Sequence, residues 1–123
     1  MKFYRMVLDS MDNKKDDNYY FQKALEEINT IQAYCIGKTY DEFISNQEAL
    51  DATMFRLIQM IENIKNISPE YQSRHSDIKW GKIIGFRNGI VHEYGETDYT
   101  IVYQIVTKGI SELKELFISE LNS

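Results

Sequence analysis

Asp98–Leu121 reads DYTIVYQIVTKGISELKELFISEL, and this stretch decides the fold class. Val102, Ile105, Val106, Ile110, Leu113, Leu116, Phe117 and Leu121 recur at spacings of three and four. That period draws one apolar stripe along a helix, with polar residues on the other face. Thr97 or Asp98 is placed to cap its first turn. A long helix with one apolar face needs partners, and three further segments upstream supply them.

The first of these runs from about Asn18 to Gly37, with its stripe at Phe21, Leu25, Ile28, Ile31 and Cys35. Asp16, Asp17 and Asn18 are available as N-caps, and Gly37 as the C-terminal stop. The second starts between Asp41 and Gln47 and ends near Ile67. Leu50, Met54, Leu57, Ile61 and Ile64 mark its inner face, and Ile58 widens it. Phe43 and Ile44 suit a short leading turn. Ser68-Pro69-Glu70 predicts a brief helical turn, with a serine cap and proline at the first helical position. The third covers Ile78 to Glu93 after a cap at Ser76 or Asp77, with Trp80, Ile83, Ile84, Ile90 and Val91 as core contacts. Nothing alternates with the period of a strand. The expectation is an all-α, up-and-down bundle of four main helices with short extra helical turns. Residues 17–123 form that domain. Residues 1–16 read as a tail or extension, and the polar run MDNKKDDN opens within it at Met11.

Composition narrows the function classes. The chain has 123 residues, one cysteine and a net charge of −5. One cysteine makes no internal disulfide, and two histidines with it make no ordinary zinc site. Apolar runs are too short to span a bilayer, and MKFYRMVLDS is not a signal peptide, so a reducing cytoplasm is expected. The charge is uneven. Residues 71–92 hold Arg74, Lys79, Lys82 and Arg87 against Asp77, a net +3, while the rest of the chain nets −8. Both histidines, His75 and His92, lie in that window, so an anion would be handled there.

Within it stands Arg87-Asn88-Gly89-Ile90-Val91-His92-Glu93-Tyr94. At roughly 100° per residue Asn88 and His92 fall about 40° apart, and Arg87 and Tyr94 are nearly aligned on a neighbouring stripe. A guanidinium, a carboxamide, an imidazole and a phenol are costly to bury unpaired, so they line a cleft, a second subunit or a satisfied network. The set suits a phosphodiester: a planar fork for phosphate oxygens and a ring that passes protons near neutral pH. The alternative is that Arg87 pairs with an acid on the second or fourth helix and that His92 and Tyr94 cap the third. Gly81, Gly85 and Gly89 recur every four residues, which suggests close approach of another helix, within the chain or across a dimer.

R-x4-H-x-Y, here Arg87, His92 and Tyr94, resembles the signature of HepT-like toxins of the HEPN superfamily of helical ribonucleases. The likeness extends over residues 11–121, through DDNYYFQKALEEINTI, YDEF at 40–43, RLIQMIENIKNIS at 56–68, DIKW at 77–80 and IVYQIV at 101–106. It implies a homodimeric toxin that cuts RNA, such as tRNA or mRNA, without a metal or other cofactor. His92 would be the general acid/base, Arg87 would stabilise the pentavalent phosphate and Asn88 would support the site. A cognate minimal nucleotidyltransferase antitoxin would silence it by transferring AMP to Tyr94. Departures are Ile61, Glu62 and Asn63 where many members carry Gly-Glu-Ala, and Lys79 where proline is common. Two rivals are a non-catalytic helical dimer that binds, and is modified by, a partner nucleotidyltransferase, and a structural dimerisation domain.

Overall fold

The computed structural model describes residues 2–12, 15–92 and 97–123, the side chains of 9–12 and 92 excepted. Helices carry this part of the chain, and it contains no strand. They are α1 (Lys2–Asp12), α2 (Asp17–Cys35), α3 (Tyr40–Ser45), α4 (Gln47–Lys65), α5 (Pro69–Arg74), α6 (Trp80–His92), α7 (Tyr99–Gln104) and α8 (Ile110–Leu121). A π turn over Ile105–Gly109 joins the last two into one long rod.

Local chemistry sets most boundaries. The Asp16 carboxylate accepts the Tyr19 N–H at 3.0 Å and starts α2. Gly37 takes a φ of +72°, the left-handed conformation that glycine adopts without a Cβ clash, and turns the chain toward α3. Thr39 and Glu42 form a capping box, each side chain taking the other's backbone N–H. The backbone hydrogen bond from Thr39 holds the exposed Glu42 carboxyl below its usual range. Ser68 caps α5, and the Asp17 carboxylate accepts the Ser68 N–H at 2.8 Å and its hydroxyl at 2.7 Å. One aspartate thus ties the start of α2 to the start of α5. Asp98 caps α7.

The core lies on the seam between α2 and α4, the most extensive helix pair. Phe21, Ala24, Ile28, Ile31 and Cys35 meet Leu50, Met54, Leu57, Met60, Ile61 and Ile64. Burial pushes the Cys35 thiol up, as for a packed rather than a reactive cysteine. Thr53, the one buried polar residue among those described, returns its hydroxyl to the Ala49 carbonyl at 2.8 Å. α8 packs on α2, with Phe117 stacked on Phe21 at 5.4 Å between ring centres. α6 packs on α4. Between α6 and the π-turn rod runs a groove of about 370 Å³, floored by Leu57, Met60 and Ile61 of α4.

Four differences from the periodicity are informative. First, the last helix is not α throughout. Val102, Val106 and Ile110 are all buried, yet two successive four-residue steps drift about 80° on an ideal α-helix. The π turn takes up the drift, with the Ile110 N–H reaching back to Ile105 O and the Thr107 hydroxyl donating to Tyr103 O at 2.6 Å. Second, α6 begins at Trp80, not Ile78, and neither Ser76 nor Asp77 caps it. The Trp80 indole N–H donates to Gln72 O (3.1 Å) and His75 O (3.0 Å), so tertiary contact anchors this end. Third, Ala24 is buried where Leu25 is half-buried, and Val91 is 45% exposed. Fourth, residues 2–12 are helical, with Phe3, Tyr4 and Met6 exposed.

Candidate active site on α6

Trp80 and Ile90 hold α6 to the core, with Ile83 and Phe86 partly buried beside them. This inner edge dictates where the polar residues stand. Arg87 lies next to it, facing α4. Its Nε sits 2.6 Å from Glu62 Oε1, and each side chain is about one-third exposed, at 34% and 35%. The contact is off line for a hydrogen bond, since Nε has no hydrogen-bond partner. It is an attraction of charges at close range. Nη1 donates to Asn88 Oδ1 at 3.3 Å. Glu62, a helix-two acid, is thus the partner that the pairing alternative required. Its signal in the sequence was the acid between Ile61 and Asn63.

Asn88 is exposed beside Arg87. His92 closes α6 through its backbone. In register, position 92 lies about 40° from position 88 and about 140° from position 87. Tyr94, with Glu93, lies outside the described residues.

The three glycines occupy the outer face with Asn88. A Cβ built on Gly81, Gly85 or Gly89 would meet nothing within 4 Å. Among the described residues, no other helix therefore approaches these glycines closely. The apolar edge of α6 is spent on α4, and the glycines point the opposite way. Interior glycine costs about 1 kcal/mol each against alanine, so this helix is poorly stabilised by its own sequence.

The remaining charges of the basic window separate. Arg74 lies over the Tyr71 ring at 5.8 Å, and Lys79 and Lys82 line the groove with Phe86. His75 stacks on Tyr71, 4.3 Å between centres, and its Nε2 lies 3.9 Å from Glu120 Oε1. It belongs to the α5–α8 contact, not to Arg87. Burial, then the Glu120 carboxylate, raise the Tyr71 phenol above its ordinary range. No group of three or more His, Cys, Asp or Glu among the described residues could hold a metal ion. No helix of the described chain is long and apolar enough to cross a membrane.

The model of the family described as "Ribonuclease HepT-like" matches residues 24–119, which include α4, α6 and the motif. A Methanocaldococcus jannaschii protein named as a gamma-glutamylcyclotransferase and candidate RNase is 30% identical over 83% of this chain. The match spans 46% of that protein's length. A candidate RNase of Caldanaerobacter subterraneus is 28% identical over 78% of this chain and 86% of its own. A candidate ribonuclease HepT of Thermococcus cleftensis is 24% identical over 85% of this chain and 94% of its own. No solved structure matches the chain.

Proposed function

Since this chain belongs to the HepT-like ribonuclease family, we propose that it is the endoribonuclease toxin of a toxin–antitoxin pair, acting in the cytoplasm on RNA such as tRNA or mRNA. The RNA 2′-oxygen attacks the adjacent phosphorus and the bond to the 5′-oxygen breaks, leaving a 2′,3′-cyclic phosphate and a 5′-hydroxyl. His92 takes the 2′-hydroxyl proton or supplies one to the leaving oxygen. Arg87 stabilises the charge gathered on the pentavalent phosphate. Asn88 supports both.

The observation that carries this reading is Arg87, held at the rim of α6 with its side chain one-third open to solvent and Asn88 beside it. The register adds to it. Positions 87 and 92 stand on different flanks of one helix, so a second copy facing α6 is the simplest way to bring an arginine and a histidine to one phosphate. The bare glycine face gives that copy room to approach. AMP placed on Tyr94 by a nucleotidyltransferase antitoxin would add negative charge at the seat of the RNA and silence the dimer.

The test is cleavage of end-labelled RNA in EDTA by wild type and by His92→Ala, checked for equal helicity. Wild type leaves cyclic-phosphate ends and the variant leaves the RNA whole. Equal cutting by both overturns the mechanism. One observation favours the rival of a non-catalytic dimer modified by a nucleotidyltransferase: Arg87 already has an acidic partner. On that reading wild type, with Tyr94 unmodified by mass, does not cut.

A further inference from the structure

The mechanism above uses Arg87, Asn88 and His92 and leaves Glu62 without a task. We propose that Glu62 is a positioning residue for Arg87, fixing the direction of its guanidinium toward the scissile phosphate; this rests on the ribonuclease reading. Glu62 and Arg87 lie on different helices, and both stand on rigid ground. Ile61 and Ile64 flank Glu62 in the α4 core, and Ile90 is buried on α6 beyond Arg87. A partly exposed ion pair adds little to the stability of a fold. What it can do is remove freedom from a long side chain, which otherwise samples many rotamers.

The geometry favours positioning over simple neutralisation. Glu62 Oε1 takes the Nε edge, at 2.6 Å, and Asn88 Oδ1 takes Nη1 from the side, at 3.3 Å. The carboxylate holds the guanidinium against α4 by charge, and the Asn88 hydrogen bond sets the direction of Nη1. The Nη1 and Nη2 end of a guanidinium presents a fork. That fork is the part that binds two phosphate oxygens together. Lys79 and Lys82, on the groove side of the same helix, are single-point cations and cannot take that role.

The experiment is a kinetic one on the full-length chain with a short end-labelled RNA, separating kcat from KM. Glu62→Ala lowers kcat by roughly 30- to 100-fold with KM changed less than about threefold, the signature of a misplaced group. Glu62→Asp keeps the negative charge that attracts Arg87, and it restores kcat to within about fivefold of wild type. In the Arg87→Ala background, Glu62→Ala causes no further loss, because the group it orients is gone. Melting curves place all five proteins within a few degrees of each other. Unchanged or raised kcat in Glu62→Ala overturns the proposal, the raised value meaning that the carboxylate competes with phosphate. So does a loss that multiplies with that of Arg87→Ala, or a loss shared equally by Glu62→Asp. If wild type cuts and Arg87→Ala does not, the ribonuclease reading stands whatever Glu62 does. If wild type leaves the RNA whole, both fall together.

Discussion

The α2–α4 seam and α6 are built on opposite terms. α2 and α4 begin at side-chain caps, Asp16 and Asn46, and bury complementary stripes against each other. α6 has its start pinned by Trp80, two fully buried apolar residues, and three glycines on an open face. Yet α6 carries the arginine, the asparagine and the histidine. The lesson is a division of labour. Packing energy is concentrated on the seam, and the helix proposed to meet the substrate keeps a bare surface at a cost in its own stability.

This contrast can be broken most forcefully on the seam side. Phe117 is wholly buried and stacked on Phe21, so Phe117→Ala should cost about 3–5 kcal/mol, read by chemical denaturation. Arg87→Ala tests the other side: cleavage falls at least about 100-fold, while stability changes by less than about 1 kcal/mol because its ion pair is partly exposed. A comparable loss of stability would place Arg87 among the structural residues instead.

Gly85→Ala sharpens the comparison further. A Cβ there meets nothing within 4 Å among the described residues, so helix propensity alone predicts a gain of about 1 kcal/mol in a monomeric state. If the glycine face seats a second copy, the same change weakens the dimer in sedimentation and lowers cleavage. The smallest effect is at α3. The Glu42 pKa is lowered in the fold, so its cap is intact above the unfolded carboxyl value and is lost as pH falls through the lowered one. The protection factor of the Phe43 amide, whose N–H bonds to Thr39 O, should fall at acid pH while the α2–α4 amides keep theirs.

The sequence by itself determined the four apolar stripes, the caps at Asp16, Ser68 and Asp98, the short helices before and after α4, and the polar set on α6. These are properties of a residue and its near neighbours, which spacing and side-chain chemistry report directly. Only the tertiary structure decided that Glu62 is the acid beside Arg87, twenty-five positions away. It alone decided that the glycines face outward, that Val91 is exposed, and that the last helix takes a π turn. Periodicity gives the faces of each helix relative to its own axis. Which face meets which neighbour follows from how several helices share one core, and that is settled only when all of them are packed together.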